Sequence, residues 1–263
     1  LLLASFREAV QLEPANNGYK KQLTGALERS KSYKESRQIW QELSDKAKAT
    51  NDKLLAREAR SRIVTLWSFE HILDQQVAPL QAKFNATPPD VEAGRMLAEV
   101  LLHIQRRINE SEQVLRRVIE LAPGDTESYL ALERVLVQEN KTADAILILE
   151  KLIVVDPKSA RQVYHRMADY ASNLYRDEDA IKYEARALEL NPDDAEGHHK
   201  LGARYKQRGD IEHAILEYRA AITKNDRLFP VYLELADLLL SKGQSDEADR
   251  LFRRVIRGAP DEE

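Results

Sequence analysis

A phrase that returns every 34 residues limits what this chain can fold into more than any other feature. Prolines stand at Pro123, Pro157, Pro192 and Pro260, separated by 34, 35 and 68 residues, and Asp226 stands where the double gap would hold one. Ahead of these positions come similar runs: "RRVIELAPGD", "EKLIVVDPKS", "ARALELNPDD", "RAAITKNDRL" and "RRVIRGAPDE". Five copies in phase mean one supersecondary unit used over and over, because a short unit buries its apolar face only against its neighbours.

Inside each copy the spacing is helical. In residues 195–228, Leu201, Gly202 and Tyr205 share a face at steps of three and four. Gly209-Asp210 interrupts as a turn, and Ala214, Tyr218, Ala221 and Ile222 begin a second stripe. The unit is therefore a helix, a tight turn and an antiparallel helix, closed by a proline that pushes the preceding residue out of helical geometry. Gly209 supplies the conformational freedom of the turn. Gly202 marks a close approach of the paired helices, a place taken by Ala168 and Ala236 in the flanking copies. Alanine at 202 is accordingly expected to be tolerated and leucine is not. Ala180, Ala214 and Ala248 are the matching small residues of the second helix, with Tyr218 and Phe252 filling the adjoining space.

This unit resembles the tetratricopeptide repeat, whose pattern is a large residue, Leu-Gly, Tyr, then Ala, an aromatic, Ala and a closing Pro. Residues 195–228 supply His198, Leu201-Gly202, Tyr205, Ala214, Tyr218 and Ala221, and residues 229–262 supply Tyr232, Leu235-Ala236, Leu239, Ala248, Phe252, Val255 and Pro260. Residues 161–194 supply Tyr164, Met167-Ala168, Ala171, Ala180, Ala187 and Pro192, with Glu184 departing at the aromatic position. Residues 126–160 supply Tyr129, Leu132, Leu136, Ala145, Leu149 and Pro157, while 92–125 match in their second half through Leu115, Val118 and Pro123. The resemblance implies an all-α, right-handed α/α superhelical solenoid of about seven stacked helical hairpins.

The match thins upstream, so residues 1–90 are read as divergent helical repeats and 91–263 as five tetratricopeptide-like ones. "FREAVQLEP" reads as a closing second helix, and 17–50 as a repeat built on Leu23, Leu27, Ser36, Trp40 and Leu43. Residues 52–89 read as a long irregular hairpin: one helix from Asp52 to Leu73, a second from Gln75 to Phe84, with Pro79 tolerable only near the start of the latter. An opening on three leucines, Leu1–Leu3, suggests a cut through a helix. End-to-end self-association of such a piece is expected, through stripes that include Leu251 and Val255.

Composition excludes several classes of function. The net charge is −4, with 14 basic and 11 acidic residues in 1–90 and 26 and 33 in the remainder, so no nucleic-acid partner is expected. The pairs Arg106-Arg107, Arg116-Arg117 and Arg253-Arg254 sit among acidic neighbours and read as solvated helix surface. Cysteine is absent, which removes disulfides and thiolate metal sites. The longest apolar run, "AILILEKLIVV" at 145–155, is interrupted by Glu150 and Lys151 and reads as a core helix, so no membrane span is expected. Trp40, Trp67, Phe69 and Phe84 read as core at helical spacing. A cytoplasmic location is expected, with the periplasm left open.

No HExxH, P-loop or GxSxG pattern accompanies the six histidines. His165 and Asp169, one turn apart, with His199 at the matching place one repeat on, are the nearest thing to a metal site. They are read as lining a polar groove; no cofactor, metal or catalytic residue is assigned.

A solenoid of helix pairs exposes one long concave surface. The first-helix positions a quarter turn from the buried pair are Met96, Val100 and His103; Leu130, Arg134 and Val137; His165, Asp169 and Ser172; His199, Ala203 and Lys206; and Leu233, Asp237 and Leu240. A lysine–asparagine clamp of the kind some family members use for acidic peptides is absent from these positions. The expected function is a non-catalytic scaffold that holds a peptide or partner helix in this groove. The alternative is a substrate-selecting repeat region of a larger enzyme or assembly. Replacing His165, His199 and Lys206 together is expected to weaken binding without loss of stability.

Overall fold

The computed structural model describes residues 2–104 and 107–258. Leu1, Arg106 and Pro260, which enter the sequence reading, lie outside the described residues. The fold is all-α: fifteen α-helices and one short 3-10 turn, with no strand among the described residues. The chain divides into two compact units, Leu1–Val135 and Leu136–Glu263.

The first unit holds α1 (Leu2–Leu12), α2 (Asn17–Arg29), α3 (Tyr33–Thr50), α4 (Lys53–Phe69), α5 (Leu73–Phe84), α6 (Val91–His103), α7 (Ile108–Leu121) and most of α8 (Thr126–Gln138). Side chains cap the starts: Asn16 accepts from the Gly18 and Tyr19 N–H groups, Asp52 from Leu55 and Asp90 from Ala93. Each takes up a donor that the first helical turn leaves free. In the stretch read as one long hairpin, α4 stops at Phe69, four residues short of the expected end, because His71 turns the chain in a left-handed conformation. Pro79 lies in the interior of α5 rather than at its start. The two helices barely touch: α4 packs on α3, and α5 packs on α6. Trp40, Trp67 and Phe84 are buried as expected, but Phe69 is not: it stands 49% exposed at the end of α4.

The second unit continues with α9 (Thr142–Val155), α10 (Ala160–Asn173), α11 (Asp177–Leu190), α12 (Ala195–Arg208), α13 (Ile211–Lys224), α14 (Phe229–Ser241) and α15 (Ser245–Gly258). From α9 to α15 each helix packs on the next in the chain. The turn inside each hairpin places one residue at positive φ: Asn140, Tyr175, Gly209 and Gly243, spaced by 35, 34 and 34 residues. The period is thus written into backbone conformation, and glycine fills only two of the four places. Ala214, Tyr218, Leu235, Ala236, Leu239 and Ala248 form one buried cluster, against which Tyr205 and Phe252 pack. The apolar run at 145–155 forms α9 with Ala145, Ile146, Ile148, Leu149 and Leu152 buried. No described helix is long and apolar enough to cross a membrane.

Candidate interaction surface

In the second unit the first helices of three hairpins, α10, α12 and α14, are tied together along one face. Arg204 on α12 donates to Asp169 on α10, and Ser172 reaches Gln207 at 3.4 Å. One step on, His199 Nε2 lies 3.1 Å from Glu234 Oε1, and Lys206 Nζ lies 3.8 Å from Glu234 Oε2. Each of the three hydrogen bonds joins residues 35 apart, one repeat plus one position. Tyr218 on α13 completes this junction from behind, its hydroxyl donating to Glu234 Oε2 at 2.6 Å.

The electrostatics follow from that packing. Burial works against ionisation of Glu234, yet the hydrogen bonds from Tyr218 and His199 and the nearby Lys206 charge outweigh it and hold the carboxyl below its ordinary range. Glu234 is therefore the acceptor, and His199 donates through Nε2. Burial, then the bond to Glu234 and its negative charge, push the Tyr218 phenol well above its ordinary value, so it stays protonated and donates.

His165 is engaged differently. Its Nδ1 lies 2.6 Å from Oε1 of Glu184, a residue with no exposed surface, and its Nε2 lies 3.8 Å from Asp194. Arg161 also binds Asp194, at 2.7 Å. Burial opposes the Asp194 charge, but the Gly197 N–H and Arg161 prevail and keep its carboxyl below the ordinary range. The other Glu184 oxygen, Oε2, has no hydrogen-bond partner. Glu184 occupies the place held by Leu149, Tyr218 and Phe252 in the other hairpins, so its carboxylate lies where those repeats put an apolar or aromatic side chain. The polar middle expected of the groove is therefore committed to internal pairs.

The apolar positions are open by contrast. Leu233 is 42% exposed and Leu240 45%, seven residues apart on α14, with exposed Asp237 between them. Val137, at the start of this unit, is partly buried.

In the first unit the expected face is displaced. Val100 is fully buried and belongs to the core, not to a groove. Met96 is partly buried, His103 is exposed with Nδ1 2.9 Å from the Glu99 carbonyl, Leu130 is partly buried and Arg134 exposed. The physical reason is register: Leu97 and Ala98 are buried as Leu201 and Gly202 are, so the matching face of α6 falls on Glu92, Arg95 and Glu99. There the sequence reading missed a charged cluster. Arg60 of α4, only 4% exposed, lies 2.5 Å from Glu92 and 3.3 Å from Glu99 and also binds Glu127 of α8. Arg95 links Glu92 at 2.6 Å to Asp125 at 2.8 Å. Burial alone would depress the Arg60 guanidinium, but the charges of Glu92 and Glu127 override it and raise it above its ordinary value. A buried cation among three carboxylates fixes how α4, α6 and α8 meet, and removing it would strand those charges. Only alignment on Leu97-Ala98 could have pointed to Glu92, Arg95 and Glu99; nothing in the sequence singles out Arg60.

The remaining basic pairs are locally neutralised: Arg107 by Glu110, Arg116 by Glu112, Arg253 by Asp249 and Arg254 by Asp226, while Arg117 lies over the Phe84 ring. Among the described residues no group of three or more His, Cys, Asp or Glu side chains is placed to hold a metal ion.

Comparison with known proteins agrees with this architecture. Residues 231–263 match the family model for the tetratricopeptide repeat. The solved structure of YrrB, a tetratricopeptide-repeat protein with an unusual peptide-binding site, is 16% identical, with a TM-score of 0.50 over 70% of this chain and 93% of that one. A crystal structure of MamA is 24% identical over 58% of this chain and 88% of its own, with a TM-score of 0.48. MamA from Desulfovibrio magneticus RS-1 is 16% identical over 64% of this chain and 93% of its own, also with a TM-score of 0.48. No curated protein matches the chain at the sequence level.

Proposed function

We propose that this chain, an all-α array of tetratricopeptide-type hairpins, is a non-catalytic protein-interaction module whose second unit holds a partner helix or peptide against α14. One observation carries the reading. Leu233 and Leu240 leave nearly half of their surface in water on a helix whose opposite face, Val231, Leu235, Ala236 and Leu239, is core. Two apolar residues seven apart with a carboxylate between them match the anchors of an amphipathic helix or a short extended peptide. The complementary segment carries two apolar side chains and a lysine or arginine facing Asp237. The residues with acid–base chemistry on α10 and α12 are held in internal pairs, which supports binding rather than catalysis. YrrB, described for its peptide-binding site, gives a precedent on a similar fold.

Selection from a random 16-residue peptide library on the immobilised protein tests this reading. Enriched peptides should share paired apolar residues flanking a basic one. They should lose at least tenfold in affinity against Leu233→Lys/Leu240→Lys, with an unchanged melting temperature. Enrichment of no sequence, or of peptides indifferent to the double substitution, would overturn it.

A further inference from the structure

We propose that the first unit carries a separate binding site, a cleft at the turn between α2 and α3 that takes an acidic peptide segment bearing an aromatic residue. The cleft has a volume of about 560 Å³ and lies between that turn and the end of α4. Its walls are Lys31, Tyr33, Lys34, Glu35, Gln38 and Glu70.

Two features of the cleft and its rim give it a chemistry. The first is aromatic. Tyr33 lines the cleft, and the ring of Phe69, 49% exposed, lies 5.2 Å from the Tyr33 ring, whereas Trp40, Trp67 and Phe84 are all buried. An aromatic pair with an open face accepts a third ring by edge or offset stacking. The second is charge. Glu35 is held by Arg7 and Glu70 by Arg37, each at 2.8 Å, so both carboxylates are already neutralised. Lys31 and Lys34 are exposed, and their ammonium groups have no ion-pair or hydrogen-bond partner among the described residues. The cleft therefore presents two unmatched ammonium groups with a partly exposed aromatic pair at its rim. Carboxylates answer the first and a phenyl or phenol ring the second.

Lysines beside aromatic rings also suit single-stranded nucleic acid, but that ligand needs a continuous basic track for its phosphates. Here the lining holds two basic residues, Lys31 and Lys34, and its other charged groups, Glu35 and Glu70, are acidic and ion-paired, so no such track is present in it. A short acidic peptide needs only the two lysines.

The test is fluorescence anisotropy with the full chain and the labelled peptide Asp-Glu-Phe-Asp-Glu. Three controls run alongside: the same peptide with Ala for Phe, its Asn/Gln counterpart, and a labelled ten-nucleotide oligothymidylate. The acidic peptide should bind, lose at least tenfold in affinity to Lys31→Glu/Lys34→Glu and about threefold to Phe69→Ala, and weaken as salt rises. Both side-chain sites are surface positions, and equal melting temperatures will separate lost binding from lost folding. Binding should persist in Leu233→Lys/Leu240→Lys, which distinguishes this cleft from the α14 face. Absence of binding, equal binding of the neutral peptide, insensitivity to the lysine reversals, or tighter binding of the oligonucleotide would each overturn the proposal.

Discussion

A β-carbon placed on Gly202 would lie 2.5 Å from the ring of Tyr218 and 3.3 Å from the Ala214 carbonyl oxygen. The Tyr218 ring cannot move aside freely, since it is fully buried and its hydroxyl is tied to Glu234. The sequence expectation that alanine is tolerated at 202 therefore fails. Ala168 and Ala236 occupy the same place in repeats that carry Glu184 and Phe252 where this one carries Tyr218, so the tolerance depends on what the second helix supplies. Gly202→Ala should destabilise by about 1–3 kcal/mol, as overpacking does, measured by urea unfolding. The loss should shrink by at least half in a Tyr218→Leu background; an equal loss in both backgrounds would show that the ring is not the obstacle.

The same tyrosine helps to set a pH dependence. Glu234 has its folded-state pKa depressed by Tyr218, His199 and Lys206 against the opposing effect of burial. A depressed carboxyl contributes stability that is present above its unfolded value, about 4.3, and lost as pH falls through the folded value. Glu234→Gln should therefore be less stable than wild type at pH 7. The difference should narrow steadily from about pH 4.5 downward. Denaturant midpoints at pH 7, 5, 4 and 3.5 provide the check, and a difference that stays constant across that range would contradict the linkage.

Tyr175 holds φ at 56° in a turn where the next two repeats use glycine, and its side chain is 90% exposed. A bulky residue in the left-handed region costs about 1–2 kcal/mol, while glycine adds about 0.5–1 kcal/mol of backbone entropy to the unfolded chain. Tyr175→Gly should thus raise stability by about 0.5–1 kcal/mol, and Tyr175→Asn by a similar amount. Thermal unfolding of the two variants decides it; a lowered midpoint in both would mean that the tyrosine makes a contact worth more than its strain.

These comparisons show where sequence pattern carries information and where it stops. Prolines, small residues and helical stripes revealed the hairpins because each reflects a local backbone demand repeated at a fixed period. Val100 was misplaced because α6 begins at Val91 and its buried Leu97-Ala98 pair sits one position ahead of the assumed frame. A one-residue shift rotates a helix face by about 100°. Phe69 was read as core because spacing cannot tell the last turn of a helix from its middle. Arg60 escaped notice because its partners come from α6 and α8, 32 to 67 residues away. Likewise, the histidines looked like free groove residues because Glu184 and Glu234 approach only after the hairpins close.

His165 shows what that closure changes. The expectation that His165, His199 and Lys206 can be replaced together without loss of stability does not survive the contact with Glu184. One oxygen of that buried carboxylate has no partner, and the other is met by His165 alone among the hydrogen bonds described. His165→Ala leaves the group wholly unsatisfied, at a cost of about 2–3 kcal/mol. His199→Ala should cost less than about 1 kcal/mol, because Glu234 keeps its bond from Tyr218 and its proximity to Lys206. The repeat pattern supplies the rescue. Leu149 fills the place of Glu184 in the preceding hairpin and is fully buried there, so Glu184→Leu should recover most of the loss in a His165→Ala background. A double-mutant cycle by urea unfolding measures the coupling. If His165→Ala proves no more damaging than His199→Ala, or if Glu184→Leu deepens the loss, the histidine is not holding the buried carboxylate, and its place on the α10 face would again be open to a partner.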